Sequence, residues 1–232
     1  MINNFHNIFI LGGHELSFSY FLKITQAKKE KRIDYHNIYF IEPSSTSYAH
    51  QELIKLGFNP KDYIISKTYS DFILTSDVRR ETCDALIPDH TAKHTMLQAY
   101  MALAKTHNPK LSPIDMDIDL PFIKKLEQDT IWAMSYATWT CPLYCDEPTI
   151  CPHTKTKRTW DLDKIRIDES MGRGVVGIFS CQPLVDEIVY ISVDSIAENI
   201  QEFQNQLKRN PPKDVYVFTH SHCHGILGKF CC

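Results

Sequence analysis

The sequence lacks a basic surplus. Its 25 lysines and arginines face 28 aspartates and glutamates, for a formal net charge of −3. That balance excludes a general nucleic-acid binder, which needs excess cations to displace phosphate counterions. Glycine and proline are scarce too: 8 and 12 among 232 residues exclude a collagen-like or low-complexity chain. No apolar run approaches the ~20 residues that cross a bilayer. The opening MINNFHNIFILGG has no basic stretch ahead of its short apolar run, as a secretory signal requires. A cytoplasmic protein without a transmembrane segment is expected. Also missing are a Walker-type phosphate loop, an HExxH helix and a GxSxG elbow. What is present is 43% hydrophobic residues, enough for a core that buries roughly 70% of the unfolded surface and excludes disorder of the whole.

The first forty-odd residues read as β-α-β. Asn7 to Leu11 is a short apolar strand closed by Gly12-Gly13. From Glu15 to Arg32, Leu16, Phe18, Phe21, Leu22 and Ile24 give way to KKEKR, a basic end that suits a helix C-terminus. Asn37 to Ile41 is a second strand, ending at Glu42-Pro43. Such units favour right-handed crossovers and a doubly wound sheet. Further elements are expected as follows: a helix from Ser47 to Leu56 stopping at Gly57, a strand at Tyr63 to Ile65, and a helix over 91–106. An alternating segment then runs from Pro113 to Pro121, followed by a helix from Phe122 to Thr138. Strands follow at Gly174 to Ser180 and Glu187 to Ser192, then a helix from Ile196 to Arg209 and a last strand at Val215 to Thr219. The expected fold is α/β: a Rossmann-like parallel sheet with helices on both faces, plus a C-terminal half carrying a Cys/His metal-binding loop. The halves are 1–110 and 111–232, and no Gly/Ser-rich linker prevents one continuous domain.

The densest chemical signal is CPLYCDEPTICPHT at 141–154. Cys141, Cys145 and Cys151 lie close together, two of them followed by proline, which stiffens a loop. In a reducing compartment such cysteines are ligands or thiols rather than disulfides. Thiolates hold zinc or iron–sulfur clusters, and Lys155, Lys157 and Arg158 offset thiolate charge. The irregular spacing is not the paired CxxC of zinc ribbons, and it fits a loop around a bulky cluster better than a knuckle around one ion. His153 is a candidate ligand within the segment. A fourth ligand is expected from Thr219-His220-Ser221-His222-Cys223-His224-Gly225, with Cys223 first and His222 and His224 as substitutes or outer donors. If that segment is extended, Cys223 faces away from the histidines.

CPLYCDEPTICPHT resembles the CPxxCxEPxxCPxT signature of an uncharacterised family of bacterial proteins. Cys141, Cys145, Glu147, Pro148, Cys151, Pro152 and Thr154 carry the likeness. The resemblance implies an N-terminal Rossmann-like half, a late cysteine-and-histidine segment (here HCHG at 222–225) and a shared metal site. It implies no substrate.

Gly12 and Gly13 end the first strand, and Glu42 ends the second, where an acid commonly holds a ribose hydroxyl. The turn lacks GxGxxG spacing, and Glu15 puts a carboxylate where phosphate would sit. A nucleotide, NAD(P) or S-adenosylmethionine, is nonetheless a candidate cofactor there. His90 and His94 read as solvated residues at a helix start. Asp115, Asp117 and Asp119 read as a charged edge strand, with Mg²⁺ or Ca²⁺ binding as the alternative. Trp132, Trp139 and Trp160 bracket the cysteine loop and read as core aromatics or a shield from water. Cys181 reads as a buried small hydrophobe, and Cys83 has no partner motif. The terminal Cys231-Cys232 is similar to the prenylated tail of Rab-type small GTPases, but no phosphate loop supports that reading. The functional expectation is a metal-binding Rossmann-like protein of redox or metal-handling role, with an unknown protein or small-molecule partner. The alternatives are a nucleotide- or S-adenosylmethionine-dependent enzyme with structural zinc, and an interaction module ordered by metal.

Overall fold

A computed structural model of the chain describes residues 3–75, 84–89, 94–114, 123–125, 131–137, 139, 147, 149–160, 162, 175–186, 188–209 and 212–231. They form two compact units. The first is Met1–Lys93 with Gln182–Ala197; the second is His94–Cys181 with Glu198–Cys232. The expected halves differ from this division in that 94–110 fall in the second unit and 182–197 return to the first. The cause is a pairing of distant segments, Ile191 opposite Leu86 and Ser192 opposite Ala85, which no local pattern announces.

In the first unit, β1 (Asn3–Leu11), α1 (Glu15–Lys29), β2 (Ile33–Ile41), α2 (Tyr48–Lys55), β3 (Ile64–Ile65), α3 (Tyr69–Leu74) and β4 (Ala85–Ile87) follow in order. Two later strands, β9 (Gln182–Val185) and β10 (Ile188–Ser192), complete a sheet of order β3-β2-β1-β4-β10-β9. The first four strands run parallel, and β10 is antiparallel to both of its neighbours. Parallel strands covered by helices read as near-continuous apolar runs, and Ile8, Ile10, Phe40 and Ile41 are fully buried. Helix α1 seats Phe18 and Phe21 against Phe40, with ring centroids 6.2 and 5.4 Å away. It ends on Lys28 and Lys29, cations that complement the carbonyl end of the dipole. Ser47 caps α2 as the sequence suggests, its hydroxyl accepting the His50 N–H.

The second unit holds α4 (Thr95–Ala104), β5 (Pro113–Ile114), β6 (Ile123–Lys125), β7 (Ile131–Ser135), β8 (Val175–Ser180), β11 (Asp214–His220) and β12 (His224–Cys231). The last helix, α5 (Val193–Arg209), belongs to it from Glu198 onward. Its sheet has the order β6-β7-β12-β11-β8, with β5 also against β12. Among the described strands of this sheet, β8 and β11 alone pair in parallel. Tyr100 of α4 stacks on Phe203 of α5 at 4.7 Å and meets Phe179 of β8 edge-on at 5.7 Å. Among the described residues, no helix is long and apolar enough to cross a membrane.

Two sequence expectations are corrected here. The expected helix from Phe122 to Thr138 is instead the strand pair β6 and β7, because β7 zips onto β12 from Ser135–His224 to Ile131–Gly228 and buries Met134. Tertiary pairing outweighs helix propensity in such a segment. Val215 to Thr219 is not the last strand either. Ser221 to Cys223 form a turn, and β12 returns along β11. The alternation argument that separated Cys223 from the histidines therefore does not apply. Strands β4 and β9 and helix α3 had no distinct signal. Of the alternating segment, Pro113–Ile114 pairs with Phe230 and Lys229. Asp115, Asp117 and Asp119 lie outside the described residues, as do Cys83, His90 and Cys232.

Candidate functional site

The second half of the cysteine segment folds as a small hairpin. Cys151 N–H donates to Thr156 O, Lys155 N–H to Cys151 O and Arg158 N–H to Thr149 O, around an Ile150–Lys157 bridge. Proline after Cys151 leaves the next amides, of His153 and Thr154, turned toward the sulfur. The Thr154 amide is the main influence holding the Cys151 thiol below its ordinary value. Burial, the next influence in size, opposes it, and the Thr154 hydroxyl, the His153 amide and the Lys155 charge add to the lowering. Hydrogen bonds to sulfur favour the thiolate, the form that binds metal.

Glu147 ties this hairpin to the β11–β12 turn. Its carboxylate accepts the Ser221 hydroxyl at 2.5 Å and the Cys223 N–H at 2.9 Å. Its backbone sits at φ 51°, in the left-handed region that non-glycine residues rarely adopt, and its carbonyl accepts Arg158 Nη1 at 2.7 Å. The same Nη1 lies 3.9 Å from Cys223 Sγ, which also accepts the Trp160 indole N–H at 3.2 Å. Burial pushes the Cys223 thiol up and the Glu147 charge adds to that, while Trp160 and Arg158 pull the other way. Tyr136 N–H on Cys223 O and Leu162 N–H on His222 O fix the turn from both sides.

The remaining candidates group around this clamp. His153 lies flat on Trp139, with centroids 4.6 Å apart, and Trp139 meets Trp160 at 6.4 Å. Trp139 and Trp160 therefore pack beside the cysteine segment, whereas Trp132 sits on β7. His224 Nδ1 is 2.9 Å from Ser135 Oγ. Cys181 is bound to the end of β11 by its N–H on His220 O at 2.6 Å. Burial, and secondly the Glu147 charge, push its thiol up to about 12. Cys141 and Cys145 lie outside the described residues. Among the described residues, no three His, Cys, Asp or Glu side chains group closely enough to hold a metal. Sequence reasoning named the cysteines and His153. It missed Glu147 as the clamp and Trp160 and Arg158 as donors to Cys223, although all three stand within or beside the motif.

A second polar cluster lies where β1 and β4 end in the first unit. His14 caps α1 with Nδ1 accepting the Ser17 N–H at 3.3 Å. The other nitrogen, Nε2, therefore carries the proton and donates to Asp89 at 2.8 Å. Asp89 is 8% exposed and also accepts the Tyr69 hydroxyl at 3.0 Å. Glycine is required beneath these groups. At Gly12 (φ +90°) a Cβ would stand 2.9 Å from the Asp89 carboxylate; at Gly13 it would stand 2.7 Å from Glu42 Cγ. Glu42 in turn accepts the Ser44 N–H at 2.7 Å. Gly12, Gly13 and Glu42 are thus in contact, together with His14, Tyr69 and Asp89, which sequence reasoning did not select.

A profile for AF_1314_C, described as the C-terminal domain of an uncharacterized protein, matches residues 91–232. The chain belongs to this family. No curated protein and no solved structure matches it. The AF_1314_C region contains both the cysteine segment and the HCHG turn, so both halves of the Glu147 clamp fall inside one family domain.

Proposed function

We propose that the AF_1314_C region is a thiolate metal centre, binding zinc or an iron–sulfur cluster, attached to a Rossmann-like unit and serving a redox or metal-handling role. Cys141, Cys145, Cys151 and Cys223 are the ligands, with His153, His222 and His224 as substitutes or outer donors. The observation that carries the reading is the Glu147 carboxylate, which bonds Ser221 Oγ and Cys223 N at once and so joins the cysteine segment to the late segment of His220, His222, Cys223 and His224. The donors fit such a group: both described sulfurs accept N–H bonds, which stabilise a thiolate whether or not it is metallated. When bound, zinc would supply a structural link or a Lewis acid, and a cluster would supply electron transfer.

The test is elemental analysis for zinc, iron and sulfide on protein purified without oxygen, with an absorption spectrum of the same sample. Iron with sulfide and a broad band near ~400 nm identifies a cluster; zinc without colour identifies a zinc centre. Cys151→Ser and Cys223→Ser are each expected to lose most of the metal. Metal-free protein whose thiols all titrate freely overturns the reading.

A second reading, nucleotide or S-adenosylmethionine binding in the first unit, is favoured by one observation. The order β3-β2-β1-β4 reverses direction between β1 and β4, and ligands of open α/β sheets sit outside the carboxyl ends at such a point. Glu42→Ala would abolish that binding and leave the metal content unchanged.

A further inference from the structure

The hairpin at 149–158 has an inner and an outer face. Its register sets Ile150 opposite Lys157, with Thr149 opposite Arg158 and Cys151 opposite Thr156 on either side. Side chains at adjacent positions leave such a ladder on opposite faces. Arg158 goes inward, where Nη1 meets the Glu147 carbonyl and Cys223 Sγ. Ile150 and Lys157 therefore go outward. Ile150 is 61% exposed, and Lys157 is exposed beside it. Lys155, also exposed, stands in the turn, its backbone N–H bound to Cys151 O. Neither lysine has an ion-pair partner among the described residues. The segment TICPHTKTKR holds three cations and no carboxylate, on a chain whose formal net charge is −3.

An aromatic platform adjoins these cations. The His153 ring lies on Trp139 with the two planes only 6° apart. His153 is nonetheless exposed, so the ring face away from Trp139 is open to solvent. An open ring face beside unpaired cations matches a single strand of nucleic acid, which offers an unstacked base to the ring and phosphodiesters to the ammonium groups. A duplex hides its base faces in its own stack, and its dense phosphates are opposed by the negative balance of the whole chain. An acidic peptide would use the lysines and leave the ring face empty. We propose that the outer face of this hairpin binds single-stranded nucleic acid, one base stacking on His153 while Lys155 and Lys157 take the flanking phosphates. Ile150, on the same face as Lys157, adds apolar surface for a neighbouring base. Recognition of this kind tolerates any sequence, because every base has a π face. It goes beyond the metal reading and depends only on the folded hairpin.

The test is fluorescence anisotropy of the full chain with fluorescein-labelled oligo(dT) and oligo(rU) of about twelve nucleotides, with metal content measured on every sample. Binding is expected, and the two strands tell DNA from RNA. A duplex of the same length is expected not to compete. His153→Ala should weaken binding about 5-fold or more, the scale of one stacked base, and His153→Phe, which keeps a ring but no metal donor, should retain it. Lys155→Gln combined with Lys157→Gln should reduce the slope of log affinity against log salt by about 1.4, since each phosphate contact on a single strand contributes about 0.7. Both lysines are exposed, so this variant is expected to fold. No binding of either strand, equal competition by the duplex, a His153→Phe variant as weak as His153→Ala, or an unchanged salt slope each overturns the proposal. Capture on phosphatidylserine vesicles without oligonucleotide binding overturns it too. A metal-free chain that binds the strand supports this proposal and counts against the metal reading; a metal-loaded chain that binds neither strand does the reverse.

Discussion

His14 and Asp89 in the first unit and Glu147 and Cys223 in the second are pairs equally remote in sequence, 75 and 76 residues apart, yet they meet by different means. The first pair is delivered by a ladder. β1 and β4 are in register, Ile10 opposite Ile87, and each partner follows its strand end by two or three residues. The second pair is delivered by one side chain, since the carboxylate of Glu147 reaches a turn to which its own segment is joined by no strand pairing in the described residues. A ladder spreads positioning over many backbone bonds and a buried core. A side-chain clamp concentrates it in two hydrogen bonds, each of which is worth roughly 1.5–3 kcal/mol when one partner is charged. Removing core from the first unit should therefore cost stability, and removing the clamp should cost the site.

The largest effect is expected at Phe40, which is fully buried under two aromatic rings. Phe40→Ala should destabilise the first unit by roughly 3–5 kcal/mol in denaturant melts while metal retention by the second unit persists. Equal loss of both would break the comparison. The next effect is a pH dependence in the second unit. His94 is buried, and burial pushes it down to about 4 against the weaker opposing influence of the Val217 and Ile226 backbone. The unfolded chain takes up this proton below about pH 6.5 and the folded chain refuses it. Stability is therefore complete above that pH and falls as the solution is acidified toward pH 4, by about 3 kcal/mol from this residue. His94→Gln should flatten that part of the midpoint-versus-pH curve; an unchanged slope would dismiss His94 as the cause.

Glu147→Gln keeps the shape and removes the charge. A smaller loss, about 1–2 kcal/mol, is expected together with weaker metal retention at equal protein concentration. Full retention would show that the turn needs no clamp. The smallest effect is expected at Arg32, whose fork on Asp186 at 2.7 and 2.8 Å is exposed. Salt and water screen such pairs, so Arg32→Ala should leave the midpoint unchanged at high ionic strength.

How much of this was legible in the sequence follows from the range of each interaction. Gly12-Gly13 closing β1, Glu15 opening α1, Lys28 and Lys29 ending it, and Ser47 with Gly57 bounding α2 are local rules, readable within a few residues. Segment 131–135 was misread because its neighbours suggest a helix and only β12, almost a hundred positions later, makes it a strand. The HCHG segment is legible as a donor region but its geometry is not, since only the pairing with β11 decides that the chain bends at 221–223 and that β12 begins at His224.

The sequence by itself determined the α/β class, the extents of α1 and α2 to within a few residues and the chemical character of the cysteine segment, because apolar period, glycine stops and thiol content are properties of neighbouring residues. Tertiary structure alone decided that 182–197 belongs with the first unit, that Glu147 grips Cys223 and that Asp89 lies over Gly12. These are contacts between residues many positions apart. They exist only once strand pairing has removed the conformational entropy that keeps such residues separate.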